Sequence, residues 1–293
     1  MRGCIAALPR ATAADRYRGL KYFVLGRMDA ALAAFELCAH SPDATVRSRG
    51  FSEKAALLAE LGRYSEARAA LEEGMAQDTA AGRPELRGGK QLALAYLALR
   101  EGRRADARVL AWNAANQDSG AFGLVRAAIL LARSGAPADA RKLAERATAF
   151  APGSVYNRLV QSRIRGEVLL ASGDPAGAVE EFRKTHALDA GIRPREYLAR
   201  ALSAAGREAE AVGYWRPIAE RPDLLWQSAD FDFPGFQTDA LFEYAKAAAR
   251  AGQLEQARSA LNQYMERRGG TPLAEVGEAR KMAQQLSTKG EGR

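Results

Sequence analysis

The chain has 293 residues, of which 47% are hydrophobic, and a formal net charge of +8. This length allows one large core or two ordinary ones, and the abundance of alanine, leucine, arginine and glutamate favours helices over strands. Two cysteines exclude a disulfide framework, and the apolar runs are shorter than the roughly 20 residues that span a bilayer, so we expect a soluble protein.

Residues 1–11 form an N-terminal segment ahead of the first predicted helix. Its one apolar patch surrounds Cys4 and is too short for a secretory signal, whose apolar core has about 7–15 residues. We therefore expect the protein to be cytoplasmic.

A single phrase recurs along the rest of the chain, a glycine followed five residues later by an alanine. Seven residues before each of these glycines stands glycine or alanine, and nine residues after it stands an apolar residue. Alanine is common in this chain, so a single glycine–alanine pair is weak evidence for a repeat. Agreement at the other offsets is the independent test. The glycines are Gly26, Gly62, Gly102, Gly135, Gly173, Gly206 and Gly252.

These offsets predict helix–turn–helix units. A first helix ends just before the glycine, which permits the left-handed backbone that often terminates a helix. Pro137 and Pro175 stand where a second helix would begin. Since a lone pair of helices cannot bury its apolar face, the units must stack on one another.

The spacing resembles the tetratricopeptide repeat, a unit of about 34 residues. The resemblance covers residues 12–271, and it implies an all-α fold, a right-handed α-solenoid of about seven such units. Apolar residues at helical spacing then predict a C-terminal cap helix over 272–286, followed by a flexible tail over 287–293. The seven units are 12–45, 48–81, 88–121, 121–154, 159–192, 192–225 and 238–271.

The last third of the chain, from about Arg195 onward, also resembles the C-terminal repeat region of some bacterial serine/threonine kinases and winged-helix regulators. The kinase motifs themselves are absent from the sequence. This second resemblance implies at most a shared sensor or interaction module.

The sequence contains no motif that predicts a catalytic, cofactor or metal site. The two histidines, His40 and His186, stand far apart, and the chain has no His-Glu-x-x-His, no paired cysteines and no phosphate-binding glycine loop. The Asp and Glu side chains of the chain are expected to lie on the solvated faces of predicted helices. We therefore expect a protein that is not an enzyme.

One aromatic segment, residues 226–237, interrupts the repeats between the sixth and seventh units. It holds four aromatic residues and two aspartates in a predicted loop. Its rings either seal an enlarged junction between units or form a lip of the binding surface, since long ordered loops often carry function.

The resemblance also implies a binding surface, because first helices line the concave face in such proteins. The inward positions lie ten and six residues before each glycine, and they are apolar in the middle of the array and charged toward its end. The Lys and Asn pair of the subtype that clamps chaperone tails is absent. The candidate groove residues are Leu92, Tyr96, Val125, Ile129, Arg163, Arg200, Phe242 and Lys246.

The leading hypothesis for function is a scaffold that binds a peptide or helix of a partner protein, with acidic groups of that partner near Arg163, Arg200 and Lys246. Two alternatives stay open at this point, a regulatory or sensor module of a bacterial signalling system and a basic solenoid that binds nucleic acid. Arginines alternate with Glu and Asp along the chain, which is typical of a solvated helix surface and makes nucleic acid the less favoured partner.

Overall fold

A computed structural model of the chain describes residues 13–117, 120–150, 153–221 and 236–288. Within these ranges the secondary structure is helical, and no strand occurs in them. No helix in the described part is long and apolar enough to cross a membrane. The fifteen helices are α1 Ala13–Val24, α2 Met28–Ala39, α3 Ala44–Glu60, α4 Tyr64–Ala80, α5 Arg87–Arg100, α6 Arg104–Gln117, α7 Ala121–Arg133, α8 Pro137–Thr148, α9 Val155–Ala171, α10 Pro175–Leu188, α11 Ile192–Ala204, α12 Glu208–Glu220, α13 Phe236–Arg250, α14 Leu254–Arg268 and α15 Ala274–Thr288.

Fourteen of these helices form seven pairs, from α1 with α2 to α13 with α14, and α15 follows the last pair. We call the odd-numbered helix of each pair its first helix and number the pairs as units one to seven. The prediction of an all-α solenoid with about seven units and a C-terminal cap helix is confirmed.

The glycine in each turn has the left-handed backbone that the sequence predicted. At the second unit, Gly62 has a φ of +73°, and the next residue, Arg63, donates a 2.8 Å hydrogen bond to the carbonyl of Leu58. This bond satisfies a carbonyl at the end of α3 that would otherwise lack a partner. The other six glycines also have positive φ values, and the same backbone bond closes each of their turns.

Small residues let the two helices of a pair approach closely. Gly166 in α9 faces the ring of Phe182 in α10, and a Cβ atom added at Gly166 would lie 2.3 Å from that ring. These two residues stand seven before and nine after the same turn glycine, so the two offsets read from the sequence meet in space. A larger side chain at position 166 would force the helices apart.

The stacked units share one large core, which runs from the third unit to the cap helix. Two smaller clusters join the first unit to the second and the second unit to the third. The cap helix α15 covers the last pair with Val276 and Leu286, which are buried. Leu273 and Met282 pack half-buried against the same core.

Candidate partner-binding surface

The array returns on itself, because the seventh unit packs against the second and third. Helix α13 contacts α3, and the carboxylate of Glu60 at the end of α3 lies at the N-terminus of α13. It accepts hydrogen bonds from the backbone amides of Gln237 and Thr238 at 2.9 and 2.7 Å, and from the Thr238 hydroxyl at 2.6 Å. A carboxylate at this end of a helix is favoured by the helix dipole and caps unpaired amides.

The buried side chain of Arg268, in α14, makes the second part of this contact. Its guanidinium donates to the carbonyls of Ala59 and Glu60 at the C-terminal end of α3, at 2.9 and 3.2 Å. It also donates to the carboxylate of Asp239 at 2.6 Å, so the arginine is paired as well as buried. A cation at the C-terminus of a helix is again the favourable arrangement.

Asp239 joins the seventh unit to the third. Its carboxylate accepts a 2.8 Å hydrogen bond from the Tyr96 hydroxyl and lies 3.2 Å from the Arg100 guanidinium. Burial alone would raise the pKa of Asp239, but Arg100 and Arg268 outweigh it and hold that pKa below its usual value. Arg100 and Arg268 also contact Glu275 of the cap helix. We call this group the closure cluster: Glu60, Tyr96, Arg100, Asp239, Arg268 and Glu275.

An inner cavity of about 560 Å³ remains beside the closure cluster. It is lined by residues of α5, α7, α9, α11 and α13 and by Trp215 of α12. Ala204 and Arg250 are exposed on its wall, so the cavity opens to solvent on that side. Five consecutive units contribute the residue that stands two before their turn glycine: Arg100, Arg133, Ala171, Ala204 and Arg250.

Paired charges cover much of the cavity wall. Glu167 is buried and accepts hydrogen bonds from Arg133 and from Arg200, both at 2.6 Å. Burial would raise the pKa of Glu167, but these two arginines lower it below its usual value, so the carboxylate stays ionised. Arg133 also donates to Glu196 at 2.9 Å. The lining as a whole holds four arginines and four carboxylates, which balances its charge.

The structure separates the predicted groove residues into a buried group and a half-buried group. Only Tyr96 and Arg200 line the inner cavity. Arg163 and Lys246 are half-buried. Arg163 lies 2.5 Å from the carboxylate of Asp189, and Lys246 lies 2.8 Å from that of Glu243. Their part in binding a partner stays a prediction. The buried group is Leu92, Tyr96, Val125, Ile129 and Phe242.

Several residues of the cavity wall were missed by the sequence reasoning, notably Arg133, Ala204 and Arg250. The signal that finds them is the position two residues before each turn glycine, which faces the cavity in the third to seventh units. Of the aromatic segment, residues 226–235 lie outside the described residues. Its last two residues, Phe236 and Gln237, are helical and begin α13, and the Arg193 guanidinium lies 3.9 Å from the Phe236 ring centroid.

The described ranges contain no group of three or more His, Cys, Asp or Glu side chains that is placed to hold a metal ion. Cys38, the cysteine within those ranges, is free and buried, and burial followed by the nearby Glu53 raises its pKa to about 11. A thiol with so high a pKa is a poor nucleophile.

Comparison with known proteins bears on the fold. The tetratricopeptide repeat family matches residues 49–73, 162–184 and 239–263. No curated protein sequence matches the chain. A tetratricopeptide repeat protein from Parabacteroides merdae superposes with a TM-score of 0.50 at 11% identity, over 94% of this chain and 99% of that one.

Two further solved structures give lower scores. The Cut9–Hcn1 hetero-tetramer of the APC/C has a TM-score of 0.47 at 13% identity, over 90% of this chain and 47% of that one. The complex of the TPR2AB domain of yeast Sti1 with pHSP90 has a TM-score of 0.35 at 15% identity, over 94% and 98%. At such identities the likeness concerns the fold alone. The family match and the superposed Parabacteroides merdae protein support tetratricopeptide repeats as units of this helical solenoid.

Proposed function

We propose that this chain is a non-catalytic scaffold that binds a peptide or helix of a partner protein at its inner cavity. Tetratricopeptide repeat proteins generally act as scaffolds for protein interaction. The observation that carries the proposal here is the cavity of about 560 Å³, to which five consecutive units contribute the same repeat position. Pockets of about 300–1,000 Å³ with a few placed polar groups are typical of binding sites.

The cavity walls suggest how such a partner is held. Apolar side chains of the ligand would lie on Leu99, Leu170 and Trp215, which line the cavity. Carboxylates of the ligand would meet Arg200 and the exposed Arg250. Of the groove residues predicted from the sequence, we therefore assign direct contact to Arg200. Leu92, Val125, Ile129 and Phe242 would support the surface from beneath.

A partner of this kind fits better than nucleic acid. The cavity lining holds four arginines and four carboxylates, so it has no excess of positive charge to neutralise a run of phosphates, whereas a peptide presents only a few carboxylates. The regulatory-module hypothesis, and the resemblance of the last third to bacterial kinases and winged-helix regulators, stay predictions, because the matches above do not test them.

The proposal is tested by blocking the cavity without removing a charge pair. Ala204 is exposed on the cavity wall, so Ala204→Trp fills the space. Ala105→Trp is the matched control, because Ala105 is also exposed but lies on α6, away from the cavity. The full chain and both variants are immobilised and exposed to native lysate, with and without nuclease treatment, after circular dichroism has shown equal helix content.

We expect the wild type and the control variant Ala105→Trp to capture the same protein from the lysate, and Ala204→Trp to capture none of it. Equal capture by all three chains would contradict the cavity as the binding site. Capture that disappears on nuclease treatment would instead favour nucleic acid.

A further inference from the structure

The most exposed large apolar side chain of the described residues is Phe122, with 67% of its surface open to solvent. It lies in the first turn of α7. Phe150, Val155 and Leu188 are also exposed, and they lie where second helices end and first helices begin. One edge of the fourth and fifth units, away from the turn glycines, therefore presents several apolar side chains to water. Apolar groups gathered in this way mark interaction sites more often than isolated ones do.

Phe122 is held in place by the next unit. Its ring centroid lies 5.4 Å from that of Tyr156, in the first turn of α9, and the two rings are tilted by 58°. This contact fixes an aromatic side chain that faces solvent, so little conformational freedom is lost when a ligand covers it. Rigid, exposed aromatic residues are the usual anchors of protein interfaces.

The surroundings of this ring pair are basic. Residues 121–128 and 155–163, which form the N-terminal parts of α7 and α9, contain three arginines, Arg126, Arg158 and Arg163, and no Asp or Glu. Arg126 stands one turn after Phe122 on α7, and Arg163 stands two turns after Tyr156 on α9. Burial raises the pKa of Tyr156, and these two arginines partly oppose that rise. Asp189, at the C-terminal end of α10 in the same unit, pairs with Arg163 and is itself partly exposed.

Two hydrogen-bond donors at this edge have no acceptor. The Tyr156 hydroxyl and Nε of Arg163 are both shielded from water and make no hydrogen bond within the described part of the chain. A shielded donor without a partner is unfavourable, and an acceptor from a ligand would satisfy it after a small movement of the side chains. Carboxylates are the acceptors that guanidinium groups bind best.

We propose that this aromatic–basic edge, formed by Phe122, Phe150, Val155, Tyr156, Arg126 and Arg163, binds an acidic protein segment that carries an aromatic or branched apolar side chain. The proposal rests on the scaffold function above and names a second contact surface, outside the inner cavity. A protein segment fits better than a nucleic acid here, because the two rings pack on each other and Val155 is aliphatic. Bases would need open ring faces on which to stack.

The test uses fluorescence anisotropy of short labelled probes with the full chain. The first probe is a peptide with a central Trp between Glu and Asp residues. Its controls replace the Trp by Ala, or the acidic residues by Lys, and an oligothymidylate is the nucleic-acid probe. The variants are Phe122→Ala and, as matched control, Val109→Ala, which removes an equally exposed side chain from α6.

We expect the acidic Trp peptide to bind most tightly, with affinity that falls as salt rises. Phe122→Ala should weaken this binding at least about tenfold, and Val109→Ala should leave it unchanged. Equal binding by the wild type and Phe122→Ala, no binding of the acidic Trp peptide, or preference for the Lys peptide or the oligothymidylate would each overturn the proposal.

The outcome is separable from that of the scaffold proposal. Suppose that a lysate protein binds Phe122→Ala but not Ala204→Trp, and that the acidic Trp peptide does not bind. This result would support the cavity as the binding site and contradict the proposal for the aromatic–basic edge. Suppose instead that peptide binding depends on Phe122 and that lysate capture is unchanged in Ala204→Trp. This result would support binding at the aromatic–basic edge and contradict binding at the inner cavity.

Discussion

The hydroxyl of Tyr96 donates a 2.8 Å hydrogen bond to the carboxylate of Asp239, 143 residues further along the chain. Tyr96 belongs to the third unit and Asp239 to the seventh. Both residues are buried, and two arginines hold the carboxylate in its ionised form. In a solenoid that relied on neighbour contacts alone, units so far apart would not touch. This bond and its neighbours therefore tie the last unit of the array to its second and third units.

Loss of that hydroxyl should lower stability measurably. In Tyr96→Phe the carboxylate of Asp239 keeps its two arginines but loses one hydrogen bond, so we expect the free energy of unfolding to fall by about 2 kcal/mol. Tyr214→Phe is the control, because Tyr214 is half-buried and its hydroxyl makes no bond that ties units together. Urea unfolding followed by circular dichroism measures both. Equal midpoints for the two variants would contradict a stabilising role for the bond.

Removal of Arg268 should lower the free energy of unfolding further, because this fully buried arginine donates hydrogen bonds to Asp239 and to two carbonyls of α3. We expect Arg268→Met to lower the free energy of unfolding by about 3–5 kcal/mol, since it leaves buried acceptors without a donor. The double variant Arg268→Met/Asp239→Asn should lose about 1–3 kcal/mol less than the sum of the single losses. Strict additivity in this double-mutant cycle would show that the two side chains are not coupled.

Two turn glycines with the same backbone should differ in their tolerance of a side chain. Gly62 and Gly206 both have a φ of +73°, so alanine at either position is strained by about 1–2 kcal/mol. A Cβ at Gly62 would also lie 2.9 Å from the side chain of Thr271, which follows α14, whereas Gly206 faces open space. We expect Gly62→Ala to lower the melting temperature more than Gly206→Ala does. The reverse order would contradict the packing of the seventh unit against the second.

A buried carboxyl in the second unit should make stability fall as the pH rises. Burial raises the pKa of Glu53 from 4.5 to about 7, although Arg16 contacts it. Between these values the folded chain binds a proton that the unfolded chain has lost, so the free energy of unfolding decreases by about 1.4 kcal/mol per pH unit until the pH passes 7. Above that pH the penalty from this carboxyl is complete.

Glu53→Gln should remove this dependence, and Glu72→Gln, at an exposed position of α4, should not. Urea midpoints at about pH 5 and about pH 8 provide the comparison. A wild type whose stability changes no more between these two conditions than that of Glu53→Gln would show that the carboxyl ionises normally.

The fold could be predicted from the sequence because its units are local. Each turn glycine, with a small residue seven before it and an apolar residue nine after it, specifies a helix pair by contacts within one unit. Gly166 and Phe182 show this directly, since the residues at these two offsets touch. Stacking of the pairs then follows from the apolar faces that each pair leaves uncovered.

The closure of the array could not be predicted in the same way. Glu60 and Arg268 stand at helix positions where solvated charges are common, and nothing in their local sequence indicates that they are buried together. Their contact depends on how small rotations between units accumulate over the array, which repeat spacing does not encode. The buried position of the predicted groove residues Leu92 and Ile129 depends likewise on how tightly successive first helices pack.

The central claim, that the inner cavity binds a partner protein, is tested most directly by calorimetric titration of the purified partner into the purified chain. The partner is the protein whose capture from lysate Ala204→Trp abolishes. We expect the wild type and Ala105→Trp to bind it with the same Kd, and Ala204→Trp to bind at least about tenfold more weakly, because the indole fills the space that the ligand needs. The same Kd for all three chains would contradict the claim.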